Sequence, residues 1–270
     1  MTATLAYYNH NAAAFFADTV SVDMSALHDR FLSTISAGGI VLDAGCGSGR
    51  DAYAFFKRGF RVCAFDASPE LAQLAEEHTK IGILVRTFDD VREQACYDGI
   101  WACASLLHLP QAAIPAALAR LWAALKPGGT FYMSFKLGSG ERLHNGRHFT
   151  DVLEIQLRSW LADLPDLGEI ECWLSSDQRP GHFDQWLNAI VLRAAPAPDR
   201  LITGGADPFL PHLCAAMKRA TEVELAVAVV KMTGLRLLLP DLYDMLAPDD
   251  HAGNSPMSVI FECDGAIGPA

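Results

Sequence analysis

Between residues 40 and 136, short apolar runs alternate with amphipathic stretches, and most runs stop at a glycine, proline or aspartate. Ile40-Val41-Leu42-Asp43-Ala44 predicts a strand that ends at Gly45. Residues 51–58 predict a helix ended by Gly59, and Arg61 to Phe65 a second strand broken at Asp66. Ser68 is placed to cap the next helix, with Pro69 at its first position and Glu70 in its first turn; the helix runs to about His78. Ile83 to Phe88 and Gly99 to Ala104 predict the third and fourth strands. Ile114, Leu118, Leu121 and Leu125 recur at helical spacing, with Pro115 tolerable only in the first turn. Lys126-Pro127-Gly128-Gly129 ends that helix, and Thr130 to Phe135 predicts a fifth strand. Repeated strand–helix–strand units with near-continuously apolar strands predict a parallel sheet covered on both faces.

Downstream the pattern changes. Residues 137–149 are polar and glycine-rich and predict a loop. Thr150 is placed to cap a helix through about Leu164, with Leu153, Leu157 and Leu161 on one face. Glu169 to Leu174 and Trp186 to Leu192 predict the last two strands; no helix separates them, so they pair antiparallel. Ala194-Ala195-Pro196-Ala197-Pro198 has linker composition. The expected division is a domain over 1–195, a linker over 196–205, a helix–strand–helix segment over 206–246 and a poorly ordered tail over 247–270.

Composition narrows the classes. The longest apolar runs, Ile100 to Leu107 and Leu225 to Val230, fall far short of the ~18 residues of a membrane span. The first basic residue is Arg30, so the start lacks the basic region of a secretory signal. A net charge of -11 without a basic stripe argues for a small-molecule partner and against nucleic acid. The seven cysteines are odd in number and form no C-x-x-C. Cys63 and Cys103 lie in apolar runs, where a thiol packs as a small hydrophobe. These features predict a reduced, cytoplasmic protein with neither a disulfide framework nor a metal site.

The strongest chemical signal is Leu42-Asp43-Ala44-Gly45-Cys46-Gly47-Ser48-Gly49-Arg50. A glycine turn between strand and helix lets a ligand approach the backbone at the carboxyl end of the sheet. The spacing is G-x-G-x-G, whereas a dinucleotide fingerprint is G-x-G-x-x-G. Asp43, two residues before the first glycine, would repel a pyrophosphate and attract an ammonium. Asp66 ends the second strand, where a carboxylate can accept both ribose hydroxyls. An amino-acid end, a ribose and no phosphate describe S-adenosylmethionine. The plainer alternative is a turn that serves helix–strand packing alone.

At these residues the chain resembles the class I S-adenosylmethionine-dependent methyltransferases over roughly residues 5–193. The likeness is carried by Val41 to Gly49, Phe65-Asp66-Ala67-Ser68, Tyr97-Asp98-Gly99-Ile100 and Leu125-Lys126-Pro127-Gly128-Gly129, in that order and spacing. The resemblance implies an α/β, Rossmann-like seven-stranded sheet in the order 3-2-1-4-5-7-6, with strand 7 antiparallel. It implies that Asp43 and the backbone of Gly45, Cys46, Gly47, Ser48 and Gly49 hold the methionine part. Asp66, with Ala67 beside it, would hold the ribose. Asp89 would meet the adenine amino group, unless Phe88 stacks on the ring instead. Ala104 and Ser105 would line the pocket. Gly45 to Ala52 is also similar to methyltransferases of the tellurite-resistance and thiopurine type, too locally to name a substrate.

Methyl transfer to an alcohol or amine needs a base as well as positioning. His108, just past the fourth strand, is the candidate base; the alternative is a histidine that caps a turn. Tyr7 and Tyr8 precede the core and would either lid the site or pack on the sheet edge, with Tyr8 a candidate acceptor contact. Arg147 and Arg179 lie in loops expected to face the acceptor and either bind an anionic acceptor or are solvated. The competing reading is a non-catalytic S-adenosylmethionine-binding module in a fused or truncated multidomain protein. Residues 206–246 resemble the opening of a phospholipase-D-like domain, but His212 and His251 lack the His-x-Lys pattern that such chemistry needs. That small α/β appendage is expected to be a truncated or fused remnant that packs on the first domain, pairs with another chain or stays loosely ordered, rather than a second enzyme.

Overall fold

The computed structural model describes residues 2–195 apart from 178 and 180. The chain divides into two units, Met1–Pro198 and Asp199–Ala270. The expectations for 196–205, 206–246 and 247–270 lie outside the described residues.

Seven strands form one sheet. In chain order they are β1 (Ile40–Ala44), β2 (Arg61–Asp66), β3 (Ile83–Val85), β4 (Tyr97–Ala102), β5 (Leu125–Lys136), β8 (Leu167–Ser176) and β9 (Gln185–Arg193). Their spatial order is β3-β2-β1-β4-β5-β9-β8. Pairs up to β4–β5 are parallel, and β9 runs antiparallel to both β5 and β8. This is the expected order, with β8 and β9 in the places of strands 6 and 7. Two extra strands, β6 (Gly140–His144) and β7 (Arg147–Asp151), form a separate hairpin.

Alternation along the central strands feeds two cores. Leu42, Ile100, Phe131 and Met133 face one way and pack with α6 (Ile114–Ala124). Val41, Trp101 and Tyr132 face the other way, against α3 (Ser25–Leu32) and α4 (Arg50–Lys57) through Phe31 and Phe55. The Trp101 and Tyr132 rings stack at 3.8 Å. Burial on both faces explains why these strands read as continuous apolar runs. Helix α5 (Pro69–Thr79) starts as expected, with the Ser68 hydroxyl accepting from Leu71 N at 3.2 Å.

Several expectations need correction. The third strand stops at Val85: β3 is an edge strand with Leu84 and Val85 exposed, and Thr87 and Asp90 cap each other around a tight turn at Phe88–Asp90. Helix α6 ends at Ala124; Leu125 already pairs with Tyr97, and β5 bulges through Lys126–Gly129, a tolerated place for Pro127. The predicted loop 137–149 contains the β6–β7 hairpin. Its turn, Asn145-Gly146, has positive φ at both residues, as a two-residue hairpin turn requires. Thr150 caps no helix. It lies buried in β7 and donates to Leu109 O at 2.7 Å, while α7 (Glu154–Leu161) begins past Leu153, which is exposed. Cys63 faces outward from β2 instead of packing inside.

The N-terminal residues form α1 (Thr2–His10) and α2 (Ala12–Thr19), which precede α3. A hydrogen bond from His148 N to Thr4 Oγ1, 2.9 Å, ties α1 to β7, and Phe16 packs on His78 of α5. Phe15 of α2 lies against Gly47 of the glycine turn, and Tyr8 of α1 packs edge-on against Phe15. Among the described residues no helix is long and apolar enough to cross a membrane.

Candidate active site

The turn from β1 into α4 is built from three glycines with positive φ, Gly45 (+83°), Gly47 (+55°) and Gly49 (+73°). Each is required for a different reason. A Cβ on Gly45 would stand 2.5 Å from Ser105 Cβ, and one on Gly49 would stand 2.8 Å from Thr79 Cγ2. A Cβ on Gly47 would approach the Phe15 ring of α2 at 3.1 Å. Gly45 N and Cys46 N both donate to Phe65 O at 2.9 Å, fastening the turn to β2.

The two carboxylates flanking the turn have different settings. Asp66 Oδ2 accepts from Gly47 N and Oδ1 from Ser68 N, both at 2.9 Å. A carboxylate has about four acceptor positions, and the backbone N–H groups of Gly47, Ser68 and Ala67 bear on this one, which leaves room for a further donor. Burial raises its pKa, partly offset by these backbone N–H groups. Asp43 is buried under the turn and accepts from Ala52 N at 3.0 Å. Burial, reinforced by the neighbouring Asp51 charge, pushes its pKa well up.

A cavity of about 320 Å³ opens beside the turn. Gly45, Cys46, Gly47, Ser48 and Ala104 form part of its wall, with Tyr8, His108, Arg147 and Arg179 across from them. Asp43, Gly49, Asp66, Ala67, Phe88, Asp89 and Ser105 are not on the wall. Ala104 holds φ at +52°, costly for alanine, where β4 ends at the cavity, and donates to Ser134 Oγ at 2.9 Å. Ser105 is tied by its hydroxyl to Ala44 O, 2.7 Å. Phe88 packs edge-on against Phe65, 3.8 Å from where a Gly45 Cβ would lie. Asp89 points away to an exposed ion pair with Arg120 at 3.1 Å. Burial lifts the thiol pKa of both cavity cysteines, Cys46 well above the usual range and Cys103 to about 12, so neither supplies a thiolate.

His108 and Tyr8, a hundred residues apart in sequence, meet at the rim. His108 Nδ1 lies 2.8 Å from His148 O. A carbonyl only accepts, so Nδ1 carries a proton. Burial pushes the His108 pKa down to about 4, so at neutral pH the ring is uncharged and Nε2 is an acceptor. Tyr8 Oη therefore donates to Nε2, at 2.7 Å. Burial raises the Tyr8 pKa to about 12 against the opposing pull of the Arg147 guanidinium. The pair is an uncharged donor–acceptor chain.

At the cavity wall lies a charge cluster that sequence reasoning missed. Asp51 accepts from His28 Nε2 (2.8 Å), from Arg50 through two nitrogens (2.8 Å each) and from Trp101 Nε1 (2.9 Å). Burial opposes its charge, yet Arg50 and these hydrogen bonds outweigh that and hold its pKa well below the usual range. Ser134 and Asn188 also reach the cavity, and Tyr132 Oη donates to Asn188 Oδ1 at 2.8 Å. Polar residues inside apolar strands were the available signal for both. Asp177, His182 and Asp184 gather near the mouth. Asp177 is bound by Arg179 at 2.6 Å and Asp184 by Lys136 at 2.6 Å, and those cations would oppose a metal ion.

Residues 41–129 match a family model described as a methyltransferase domain. Ubiquinone biosynthesis O-methyltransferase of Xanthomonas campestris pv. campestris is 33% identical over 105 residues, 36% of this chain and 43% of that protein. The chain thus matches less than half the length of such relatives. Among solved structures, a Burkholderia thailandensis 1,6-didemethyltoxoflavin-N1-methyltransferase with bound S-adenosylhomocysteine is 25% identical. It superimposes with a TM-score of 0.57, over 70% of this chain and 85% of that one. The [4+2]-cyclase SpnF shares the fold at 16% identity, TM-score 0.53, over 63% of this chain and 82% of that one. The fold alone therefore does not name a reaction. The match over 41–129, the sheet order and the Gly45–Gly49 turn agree with the expected likeness to the class I S-adenosylmethionine-dependent methyltransferases.

Proposed function

We propose that the protein transfers the methyl group of S-adenosylmethionine to a hydroxyl or amine of a small molecule. The observation that carries this is the glycine turn with Asp66 bonded across it, opening on a cavity that also holds the Tyr8–His108 pair. The residues fit the cofactor. Asp66 keeps acceptor capacity for a ribose hydroxyl. The turn presents backbone free of Cβ atoms. The Asp43 carboxyl group beneath it suits a ligand ammonium, and the nearness of Phe88 to Gly45, with Asp89 paired to Arg120, supports Phe88 over Asp89 as the adenine contact. When bound, S-adenosylmethionine supplies an activated methyl group on sulfur.

The chain's own residues do the rest. The cavity wall orients the acceptor, which converts an encounter into an in-line approach. Tyr8 takes the acceptor proton as it passes its own to His108 Nε2, so no charged side chain is needed at rest. The acidic chain and the modest size of the cavity favour a small acceptor over nucleic acid. A cytoplasmic location belongs to the same reading and rests on free cysteines at all five described positions.

The test is turnover of methyl-labelled S-adenosylmethionine with a pool of small metabolites. Label should enter a small product, and Tyr8→Phe should reduce its rate of appearance. Binding of the cofactor without transfer to any pool would favour the non-catalytic module.

A further inference from the structure

Four permanently cationic or lysine side chains line the cavity, and three already have a carboxylate. Arg50 pairs with Asp51, Lys136 with Asp184 and Arg179 with Asp177. The fourth is Arg147, and among the described residues no carboxylate pairs with it. Its Nε is buried without a hydrogen-bond partner. Its guanidinium carbon lies 4.6 Å from the centre of the Tyr7 ring and 5.2 Å from that of Phe149, with Tyr8 at 6.0 Å. The rings fix the plane of the group, and arginine stays charged at any physiological pH. A pre-oriented, half-enclosed guanidinium without its own anion is arranged for an anion from outside.

We infer that Arg147 holds a carboxylate or comparable oxyanion of the acceptor, so that the substrate is a small organic acid with a separate hydroxyl or amino group. This rests on the methyltransferase reading above. The oxyanion is the handle and not the methylated atom, because a guanidinium occupies the lone pairs that attack would need. The second group stands at Tyr8. Its lone pair bonds the methyl carbon, the methyl–sulfur bond breaks onto sulfur, and its proton passes through Tyr8 to His108. The Asp177–Arg179 pair flanks the mouth with its charges already matched, which leaves the recognition of the anion to Arg147.

The test uses the full chain saturated with S-adenosylhomocysteine. A panel of hydroxy- and aminobenzoates and the matching benzamides is titrated by saturation-transfer NMR. Acids should bind at least about tenfold more tightly than their amides, the scale of a charge-assisted contact. Arg147→Gln should bring each pair within about twofold, and Arg147→Lys should keep part of the preference. Equal binding of acids and amides by the parent protein, a preference that survives Arg147→Gln, or binding of neither class would overturn the inference. If Arg147 serves only to tune the Tyr8 hydroxyl, Arg147→Gln shifts acids and amides alike, which also overturns it. Arg147→Lys decides the matter if Arg147→Gln fails to fold. Calorimetry with S-adenosylhomocysteine separates the two readings: no binding removes the methyltransferase reading, whereas normal binding without acid preference removes only this inference.

Discussion

The cavity has two sides built by different means. The proposed cofactor side is contiguous: Asp43, the three glycines and Asp66 lie within 24 residues, at the ends of two adjacent parallel strands, and only Gly45 and Gly47 of these reach the cavity wall. The acceptor side is assembled from far apart: Tyr8 from α1, His108 from the end of β4, Arg147 from the hairpin and Arg179 from beyond β8. The first is held by backbone conformation and hydrogen bonds, the second by side chains meeting across elements. A site made of backbone has a spacing that can be read; a site made of meeting side chains has none.

The comparison predicts that the cofactor side tolerates least. Gly45→Ala puts a Cβ against Ser105 at positive φ. It should lower stability by about 1–3 kcal/mol and cofactor affinity by more than ~100-fold, read by thermal unfolding and calorimetry. A variant that binds the cofactor normally would mean that the turn is looser than its contacts indicate.

Asp66→Ala comes next. Loss of a charge-assisted hydrogen bond to the ribose should cost ~1.5–3 kcal/mol, or roughly 10- to 150-fold, in both S-adenosylmethionine and S-adenosylhomocysteine binding. Equal affinity in the variant would remove Asp66 from the cofactor side.

On the acceptor side, Tyr8→Phe and His108→Ala should each lower kcat by about 10- to 100-fold with cofactor affinity unchanged. The pH profile carries a sign. Uncharged His108 is the working form and its pKa is about 4, so activity should fall as pH drops through that value and be flat toward neutrality. A falling limb near pH 6.5 that vanishes in His108→Ala would contradict the buried, uncharged pair.

Asp43, also on the proposed cofactor side, gives a smaller effect. Its pKa is raised in the free protein, and a bound ammonium would lower it. Cofactor binding should then release a proton, and affinity should rise with pH through the free-protein pKa. Calorimetry in buffers of different ionisation heat should show that release, and Asp43→Asn should abolish it. The smallest effect is expected from removing residues 200–270, which should leave cofactor affinity essentially intact. A shortened protein that folds but cannot bind would put that segment in the site.

Legibility follows the same division. Both carboxylates could be placed from sequence because strand ends punctuate the chain at Gly45 and Asp66, whereas the sheet order came from the resemblance those residues carry. The hairpin was also legible: Asn145-Gly146 is a strong hairpin signal, hidden by the polarity of strands that pack only one face. Thr150 misled because a threonine before a leucine-rich run has the pattern of a helix cap, while its hydroxyl serves Leu109 in a buried strand. The Tyr8–His108 bond and the isolation of Arg147 depend on which side chains meet, and no local pattern encodes that.

The most direct test of the central claim is a calorimetric titration of the full-length protein with S-adenosylhomocysteine and, separately, with NAD. The account predicts S-adenosylhomocysteine binding in the micromolar range, about -8 kcal/mol, weakened by Asp66→Ala, and no NAD binding. Tight NAD binding with no response to S-adenosylhomocysteine would contradict it.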